Sequence, residues 1–239
     1  MAKAKPIEER LRKLPWGQLE ESLWQRGHAR TPRLLTAGQC SELVALYPRR
    51  ERFRSRVEME HHRFGAGDYQ YFAEPLPEVV QALRTHAYTH LAPIANRWME
   101  ALGLEQPYPP SFAEMTALCH RLGQTKPTPL LLHYEAGGYN CLHQDLYGDL
   151  AFPFQMVCFL SRAGVDYTGG ELLLVDQRPR AQSVGEAVAA EQGEAVIFTT
   201  RHRPVRGARG FYRAQMRHGV SRVRSGTRYT LGVIFHDAR

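Results

Sequence analysis

The sequence predicts an α+β chain: a helical N-terminal section, residues 1–106, buttresses a β-rich barrel or jelly roll built from residues 107–239, and the two form one integrated domain. Three observations carry that expectation. Apolar residues recur at helical spacing before residue 110, and short β-prone runs bounded by Gly and Pro follow it. A length of 239 residues with 43% hydrophobic content suffices for one sizeable core.

The N-terminal section reads as helices joined by loops. Leu11, Leu14, Leu19, Leu23 and Trp24 lie near helical spacing, and Thr36 is positioned to cap a helix that begins Ala-Gly-Gln-Cys. Residues 76–84 and 91–102 read as two further helices, and all of these are expected to pack as a layer behind a sheet.

After Pro107-Tyr108-Pro109-Pro110 the texture changes. Strands are expected over residues 130–134, 152–160, 171–175, 195–199, 211–220 and 229–235. Turns are expected at Gly137-Gly138, Gly169-Gly170, Gln192-Gly193 and Ser225-Gly226.

Composition narrows the function classes. The opening MAKAKPIEERLRKLPW lacks the apolar core of a leader, and the longest apolar stretch, residues 151–160, falls well short of the roughly 20 residues that cross a bilayer. A soluble, cytoplasmic protein with no membrane partner is the expectation. Cys40, Cys119, Cys141 and Cys158 form no C-x-x-C pair, which points to reduced thiols rather than a zinc site or a disulfide framework. The net charge is +7, and the basic residues are 27 Arg against four Lys. Nine of those arginines lie between Arg201 and Arg228, where there is no Asp or Glu. Such a run is commonly a solvated face, and it is also what a nucleic-acid backbone requires.

The chemistry concentrates in two places. His143-Gln144-Asp145 is an H-x-D, and in an extended segment residues i and i+2 project to one side, so an imidazole and a carboxylate can share a metal. The second place is the stretch from His218 through Ser225-Gly226 to Arg228 and Thr230. Read as an antiparallel hairpin, it would aim His218 and Arg228 into one barrel interior. Two His and one carboxylate compose the facial triad that holds Fe(II) with positions left open for co-substrate and O2. An arginine within an apolar strand needs an anion, and the distal carboxylate of 2-oxoglutarate, taken in a bidentate fork, supplies one. His133-Tyr134-Glu135 offers a rival H-x-E, but it precedes the Gly137-Gly138 bend, and Tyr134 is better read as pointing inward. His236-Asp237 are adjacent and so face opposite sides of a strand, which suits a structural pair.

The pattern Tyr134-x-x-Gly137-x-x-x-x-Leu142-His143-Gln144-Asp145, followed by His218 and Arg228-x-Thr230-Leu231, resembles the Fe(II)/2-oxoglutarate-dependent dioxygenase superfamily, which includes the AlkB DNA-repair and prolyl-4-hydroxylase branches. The stretch from Tyr134 to Asp145 looks especially like AlkB. The His218 to Arg228 segment looks more like the general oxygenase pattern, since AlkB has a second arginine where this chain has Ile234. Segments including Asp68-Tyr-Gln-Tyr-Phe, Gly169-Gly-Glu-Leu172 and Gln177-Arg-Pro-Arg180 are similar to a group of bacterial 2-oxoglutarate oxygenases assigned to nucleic-acid oxidation. The resemblance implies a double-stranded β-helix (jelly roll, cupin-like). It also implies Fe(II) on His143, Asp145 and His218, 2-oxoglutarate held by Arg228, Tyr134 and Thr230, and hydroxylation of a C–H bond coupled to oxidative decarboxylation of 2-oxoglutarate.

Tyr139, Asn140, Tyr147 and Gln155 are the expected substrate residues, with Arg162, Tyr69 and Tyr71 further candidates for the mouth. Tyrosines beside a basic rim can stack on a splayed base, and equally they can close a barrel end with their hydroxyls in water. Damaged nucleic acid, met through the Arg-rich face and oxidatively demethylated, is the leading substrate. A protein side chain such as proline is the alternative. A non-catalytic nucleic-acid-binding module is a third reading, disfavoured because such a module has no need of the triad and Arg228.

Overall fold

The helix ends follow local chemistry. The computed structural model describes residues 5–104, 107–145 and 148–239, and in it α1 (Ile7–Arg12) and α2 (Trp16–Arg26) lead the chain. α2 stops at Gly27, whose φ of 78° is the left-handed conformation that glycine adopts without a Cβ penalty. α3 (Ala37–Val44) opens on a capping box: Thr36 Oγ1 accepts from the Gln39 N–H at 3.2 Å and Gln39 Oε1 accepts from the Thr36 N–H at 3.1 Å. α4 (Glu78–Ala101) and α5 (Phe112–Arg121) complete the set, α5 being capped by Ser111.

α4 corrects one expectation, because the two helices expected over residues 76–84 and 91–102 are one helix of 24 residues, Glu78–Ala101, that runs through Pro93. Val80, Leu83, Ala87, Leu91, Ile94 and Trp98 keep one buried stripe at spacings of three and four. That continuous packing outweighs the hydrogen bond lost at proline.

The strands form two sheets and a ribbon. The seven-stranded sheet is ordered β1 (His28–Arg30), β11 (Ala195–Thr199), β7 (Phe154–Phe159), β15 (Arg228–Ile234), β5 (Leu130–Tyr134), β4 (Asp68–Phe72) and β2 (Phe53–Glu58). The six-stranded sheet is ordered β10 (Val184–Val188), β9 (Leu172–Gln177), β13 (Gly210–Val220), β6 (Tyr139–His143) and β3 (Gly65–Ala66), with β12 (His202–Gly207) also paired to β13. β8 (Tyr167–Gly169) and β14 (Val223–Gly226) make a two-stranded ribbon. All these pairings are antiparallel. The architecture is a jelly roll of the double-stranded β-helix kind with helices on one side, an α+β fold.

Each side of the seven-stranded sheet is buried, for a different reason. Leu131, Met156, Cys158, Ile197, Leu231 and Val233 face the helices and pack with Leu83, Tyr88 and Trp98 of α4. Val157, Phe159, Val196 and Phe198 face the other sheet and pack with Leu172, Leu174 and Met216. This is why β7, Gln155 apart, reads as an apolar run rather than an alternating one.

Two further expectations change. Residues 1–106 are not only helical: they contribute β1 to one edge of the seven-stranded sheet and β4 and β2 to the other. β1 and β4 join the sheet through β11 and β5, which lie far along the chain, so nothing local announces them, while β2 pairs with its near neighbour β4. The segment from His218 to Arg228 is also not a hairpin, because β13 and β15 belong to opposite sheets. Between them β14 turns aside to pair with β8, and Gly226 (φ 75°) sits so close to that strand that a Cβ would lie 2.0 Å from the Asp166 carbonyl oxygen.

Arg84 ties α4 to the end of the last strand. Its guanidinium, 2% exposed, donates to the Ile234 carbonyl at 2.7 Å, to Asp237 Oδ1 at 2.6 Å and to Thr128 Oγ1 at 3.2 Å, while His120 Nε2 lies 3.1 Å from Asp237 Oδ2. Arg84→Met strands a buried carboxylate, and urea unfolding of that variant should register a loss of about 3–5 kcal/mol. His236, beside Asp237, accepts a hydrogen bond from the Phe152 N–H through Nδ1 at 3.1 Å. Burial, aided by the Arg84 charge, pushes its pKa down from 6.5 to about 4. The unfolded chain therefore takes up a proton that the native imidazole refuses, and stability is lost as the pH falls from about 6.5 toward 4. Between pH 7 and pH 5, His236→Gln should lose about 2 kcal/mol less than the wild type in the same urea titration.

Candidate active site

β6 and β13 are neighbours, and their register sets His143 directly opposite His218. The two rings stand 4.2 Å apart between centroids. Asp145, two residues beyond His143, reaches both: its Oδ1 lies 3.4 Å from His143 Nε2 and its Oδ2 lies 3.2 Å from His218 Nε2. Gln144 points the other way and donates its amide to the Arg201 carbonyl at 3.0 Å and the Met216 carbonyl at 2.8 Å, which clamps the H-x-D segment against β13.

One ligand atom from each of His143, Asp145 and His218 falls within 4.8 Å of the others, a spacing that a single metal ion can bridge. The surroundings suit that use. His143 Nδ1 sits 2.8 Å from the Cys141 carbonyl, an arrangement that places the ring proton on Nδ1 and leaves the Nε2 lone pair free. Gln155 Nε2 donates to Asp145 Oδ2 at 2.7 Å and fixes the carboxylate from the opposite sheet. His218 Nδ1 is buried without a hydrogen-bond partner among the described residues.

The charges are mutually dependent. Burial opposes ionisation of Asp145, but the His218 and His143 rings outweigh it and hold the carboxyl well below its usual range. His218 is driven the other way: burial lowers its pKa, against the pull of Asp145. His143 is raised, because the Asp145 carboxylate and the Cys141 carbonyl overcome the cost of burial.

Arg228 faces the same interior from the seven-stranded sheet. It is 1% exposed, lies opposite Tyr134 in register, and has its guanidinium carbon 5.5 Å from the Tyr134 ring, 5.4 Å from Phe159 and 5.9 Å from Tyr167. Gly170 makes room for it, since a Cβ there would lie 2.8 Å from Arg228 Cδ. Thr230 Oγ1 is 3.5 Å from Arg228 Nη1. Among the described residues Arg228 forms no ion pair, and both Arg228 Nε and the Tyr134 hydroxyl are buried without a hydrogen-bond partner. Burial pushes the Tyr134 hydroxyl up to about 12 despite the nearby guanidinium, so it stays a neutral donor. An uncompensated guanidinium beside an unused hydroxyl is a costly arrangement that an anionic ligand relieves. The donor set fits the 2-oxoglutarate expected from the sequence.

The triad and Arg228 line one cavity of about 490 Å³, within the range of roughly 300–1,000 Å³ typical of small-molecule sites. Of the expected mouth residues, Asn140, Gln155 and Tyr69 line it. Tyr139 instead lies under the Arg222 guanidinium, Tyr71 under that of Arg54, and Arg162 pairs with Asp166 on the surface. Tyr147 lies outside the described residues. The sequence reading missed Arg63, Phe64 and Leu142, which form the outer lining. A phenylalanine in the polar stretch His61-His62-Arg63-Phe64-Gly65 was the available signal. His133 of the rival H-x-E turns outward to Asp68 at 2.8 Å and stacks on Tyr229.

The nine arginines divide. Arg203 is buried and paired with Asp176 at 2.6 Å, and Arg228 belongs to the cavity. Arg224 lies 3.6 Å from Glu171, and Arg222 donates to the Gly137 carbonyl at 2.7 Å over the Tyr139 ring. Arg201, Arg206, Arg209, Arg213 and Arg217 are exposed, and none has a carboxylate partner within 4.0 Å among the described residues. Their field is felt locally: burial, then Arg213 and Arg201, lowers the His202 pKa to about 4.

Jelly roll and His-Asp-His site together define the class: an oxygenase on the fold of the 2-oxoglutarate/Fe(II) enzymes. The Pseudomonas putida prolyl-4-hydroxylase matches at a TM-score of 0.55 and 16% identity over 94% of this chain and 99% of that one. A 2OG-Fe(II) oxygenase family oxidoreductase from Burkholderia pseudomallei matches at 0.54 and 15% over 93% and 92%. At the sequence level, residues 67–238 match the profile of Oxygenase-NA, described as "Oxygenase, catalysing oxidative methylation of damaged DNA", and the chain belongs to that family. An uncharacterized protein found in two strains of Mycobacterium tuberculosis is 52% identical over 167 residues, which is 70% of this chain and 72% of its own length. No helix among the described residues is long and apolar enough to cross a membrane.

Metal titration tests the geometry directly. His218→Ala should abolish tight Mn(II) binding in calorimetry, and Gln155→Leu, which removes only the bond that orients Asp145, should weaken it roughly 10–100-fold.

Proposed function

We propose that this chain is an Fe(II)/2-oxoglutarate-dependent dioxygenase that removes a methyl group from a damaged nucleic-acid base. One observation carries the cofactor assignment: a buried guanidinium that has no ion-pair partner among the described residues lines the same cavity as a His-Asp-His cluster, with the buried Tyr134 ring 5.5 Å from it. His143, Asp145 and His218 are the iron ligands, and Arg228, Tyr134 and Thr230 take the distal carboxylate of 2-oxoglutarate. When bound, iron with 2-oxoglutarate and O2 supplies the oxidising chemistry, in which 2-oxoglutarate, O2 and a substrate C–H give succinate, carbon dioxide and a C–OH.

The protein's own part is orientation and exclusion of water. Arg228 and the Tyr134 hydroxyl fix one end of the co-substrate, and Gln155 holds Asp145 in place. The Val157 and Phe198 side chains, with Leu172 and Val220 opposite, keep the cavity dry. Hydroxylation of a methyl carbon on nitrogen releases formaldehyde, so an oxygen-transfer centre removes such a methyl group and does not add one. The family description and the unpaired arginines around β12 and β13 support a nucleic-acid substrate.

A protein substrate is the second reading. It is favoured by the fold match to a Trichoplax adhaerens prolyl hydroxylase in complex with a hypoxia-inducible-factor peptide (TM-score 0.50, 12% identity, over 99% of this chain and 94% of that one).

Succinate and formaldehyde release from Fe(II)-loaded protein, measured with methylated oligonucleotides and with proline-containing peptides, separates the two. The oligonucleotides should stimulate turnover and the peptides should not; the reverse would transfer the assignment to a protein hydroxylase. Arg228→Met should raise the 2-oxoglutarate KM on the order of 100-fold, as expected for losing a buried charge pair worth about 2–5 kcal/mol. Oligonucleotide affinity should fall as salt rises, and Arg213→Gln should lessen the slope of log K against log salt by about 1.

A further inference from the structure

The cavity mouth has an apolar lip that neither the metal nor the co-substrate uses. Phe64 is 47% exposed and Leu142 43%, and both line the cavity that contains the triad. A soluble surface seldom leaves two such side chains side by side at a cleft without a use. Phe64 lies flat on His62, with ring centroids 5.3 Å apart and planes 22° from parallel, so the exposed face is a two-ring platform.

The lip is anchored to the strand that carries the metal ligand. The Phe64 carbonyl accepts from the Cys141 N–H at 2.7 Å, and its N–H donates to the Met59 carbonyl at 3.0 Å. Gly65 approaches β6 so closely that a Cβ would lie 2.2 Å from the Tyr139 carbonyl oxygen. Arg63, just before, is held at φ 60° in the left-handed region, a conformation that costs a non-glycine residue energy and that clusters at ligand-gripping sites. Arg63 lines the cavity together with Phe64. An aromatic platform beside a cation, opening onto the cavity, matches a nucleotide chain: a π face for a base and a charge for a flanking phosphate.

We propose that Phe64, backed by His62 and flanked by Arg63 and Leu142, stacks on an unpaired nucleobase beside the one that enters the cavity, so that the substrate is single-stranded or locally opened nucleic acid. The proposal rests on the nucleic-acid reading above. A base still paired in a duplex cannot reach His143 and His218, because its target atom lies inside the stack. A lip that holds the neighbouring base compensates for the stacking lost when the target leaves.

Fluorescence anisotropy with the Fe(II)- and 2-oxoglutarate-loaded protein, kept anaerobic, tests this on three labelled probes: a single strand, a duplex with a central mismatch and a fully paired duplex. The wild type should bind the single strand and the mismatch at least fivefold more tightly than the paired duplex. Phe64→Ala should weaken single-strand binding about tenfold and erase that preference, while Phe64→Trp, which keeps a π face, should retain both. In the same assay Arg213→Gln should reduce the salt slope without changing the preference. Salt-dependent binding to all three probes with Phe64→Ala indistinguishable from wild type overturns the lip and leaves the nucleic-acid reading standing. Failure of the wild type to bind any probe overturns that reading, and the lip with it.

Discussion

The face-to-face packing of two sheets holds the site together, because each carries half of it. The six-stranded sheet supplies His143 and His218, with Asp145 just beyond β6, and the seven-stranded sheet supplies Arg228, Tyr134, Thr230 and Gln155. Val157, Phe159, Leu172, Leu174, Phe198 and Met216 fill the space between and fix the separation. Dense packing of this kind cannot yield continuously, so the distance from a metal position to the guanidinium is set by side-chain volumes rather than by the chain joining His218 to Arg228. The Gln155 to Asp145 hydrogen bond and the Phe198 ring against His218 are direct links across the gap.

The helical layer serves that packing from behind. α4 presents a continuous apolar stripe to the outer face of the seven-stranded sheet, and Arg84 locks it to the end of β15 through Ile234 and Asp237. The same strand begins at Arg228. Displacement of α4 would therefore reach the Arg228 end of the cavity through one rigid strand. The N-terminal residues reach the cavity by another route as well: β4 places Tyr69 in the wall, and the turn after Met59 brings Arg63 and Phe64 to the mouth.

Charge is distributed in two ways that serve different ends. Inside, a few charges lie close together in a dry setting, where Asp145 and its two imidazoles settle one another's protonation and Arg228 is left uncompensated. Outside, Arg201, Arg206, Arg209, Arg213 and Arg217 are exposed with no carboxylate partner among the described residues, and each contributes little alone and acts as part of a field that falls off over roughly 10 Å at moderate salt. Adjacent arginines along one strand can belong to either group, since successive side chains face opposite sides.

The sequence by itself determined the strand runs from β5 onward that carry strong β formers, the Thr36 cap, and the choice of His143, Asp145, His218 and Arg228 as residues that share one site. These were legible because period-two alternation, capping and ligand spacing are local properties of the chain. Only the tertiary structure decided the rest. The pairing of β1 and of β4 depends on partners far along the chain, and α4 continues through Pro93 because the sheet behind it rewards an unbroken stripe. His218 and Arg228 meet across a barrel rather than along a hairpin, since β14 is captured by β8. Whether an exposed aromatic such as Phe64 is surface or lip is likewise a matter of what folds up beside it. Long-range pairing is chosen by the burial it makes possible for the whole chain, and no window of neighbouring residues contains that information.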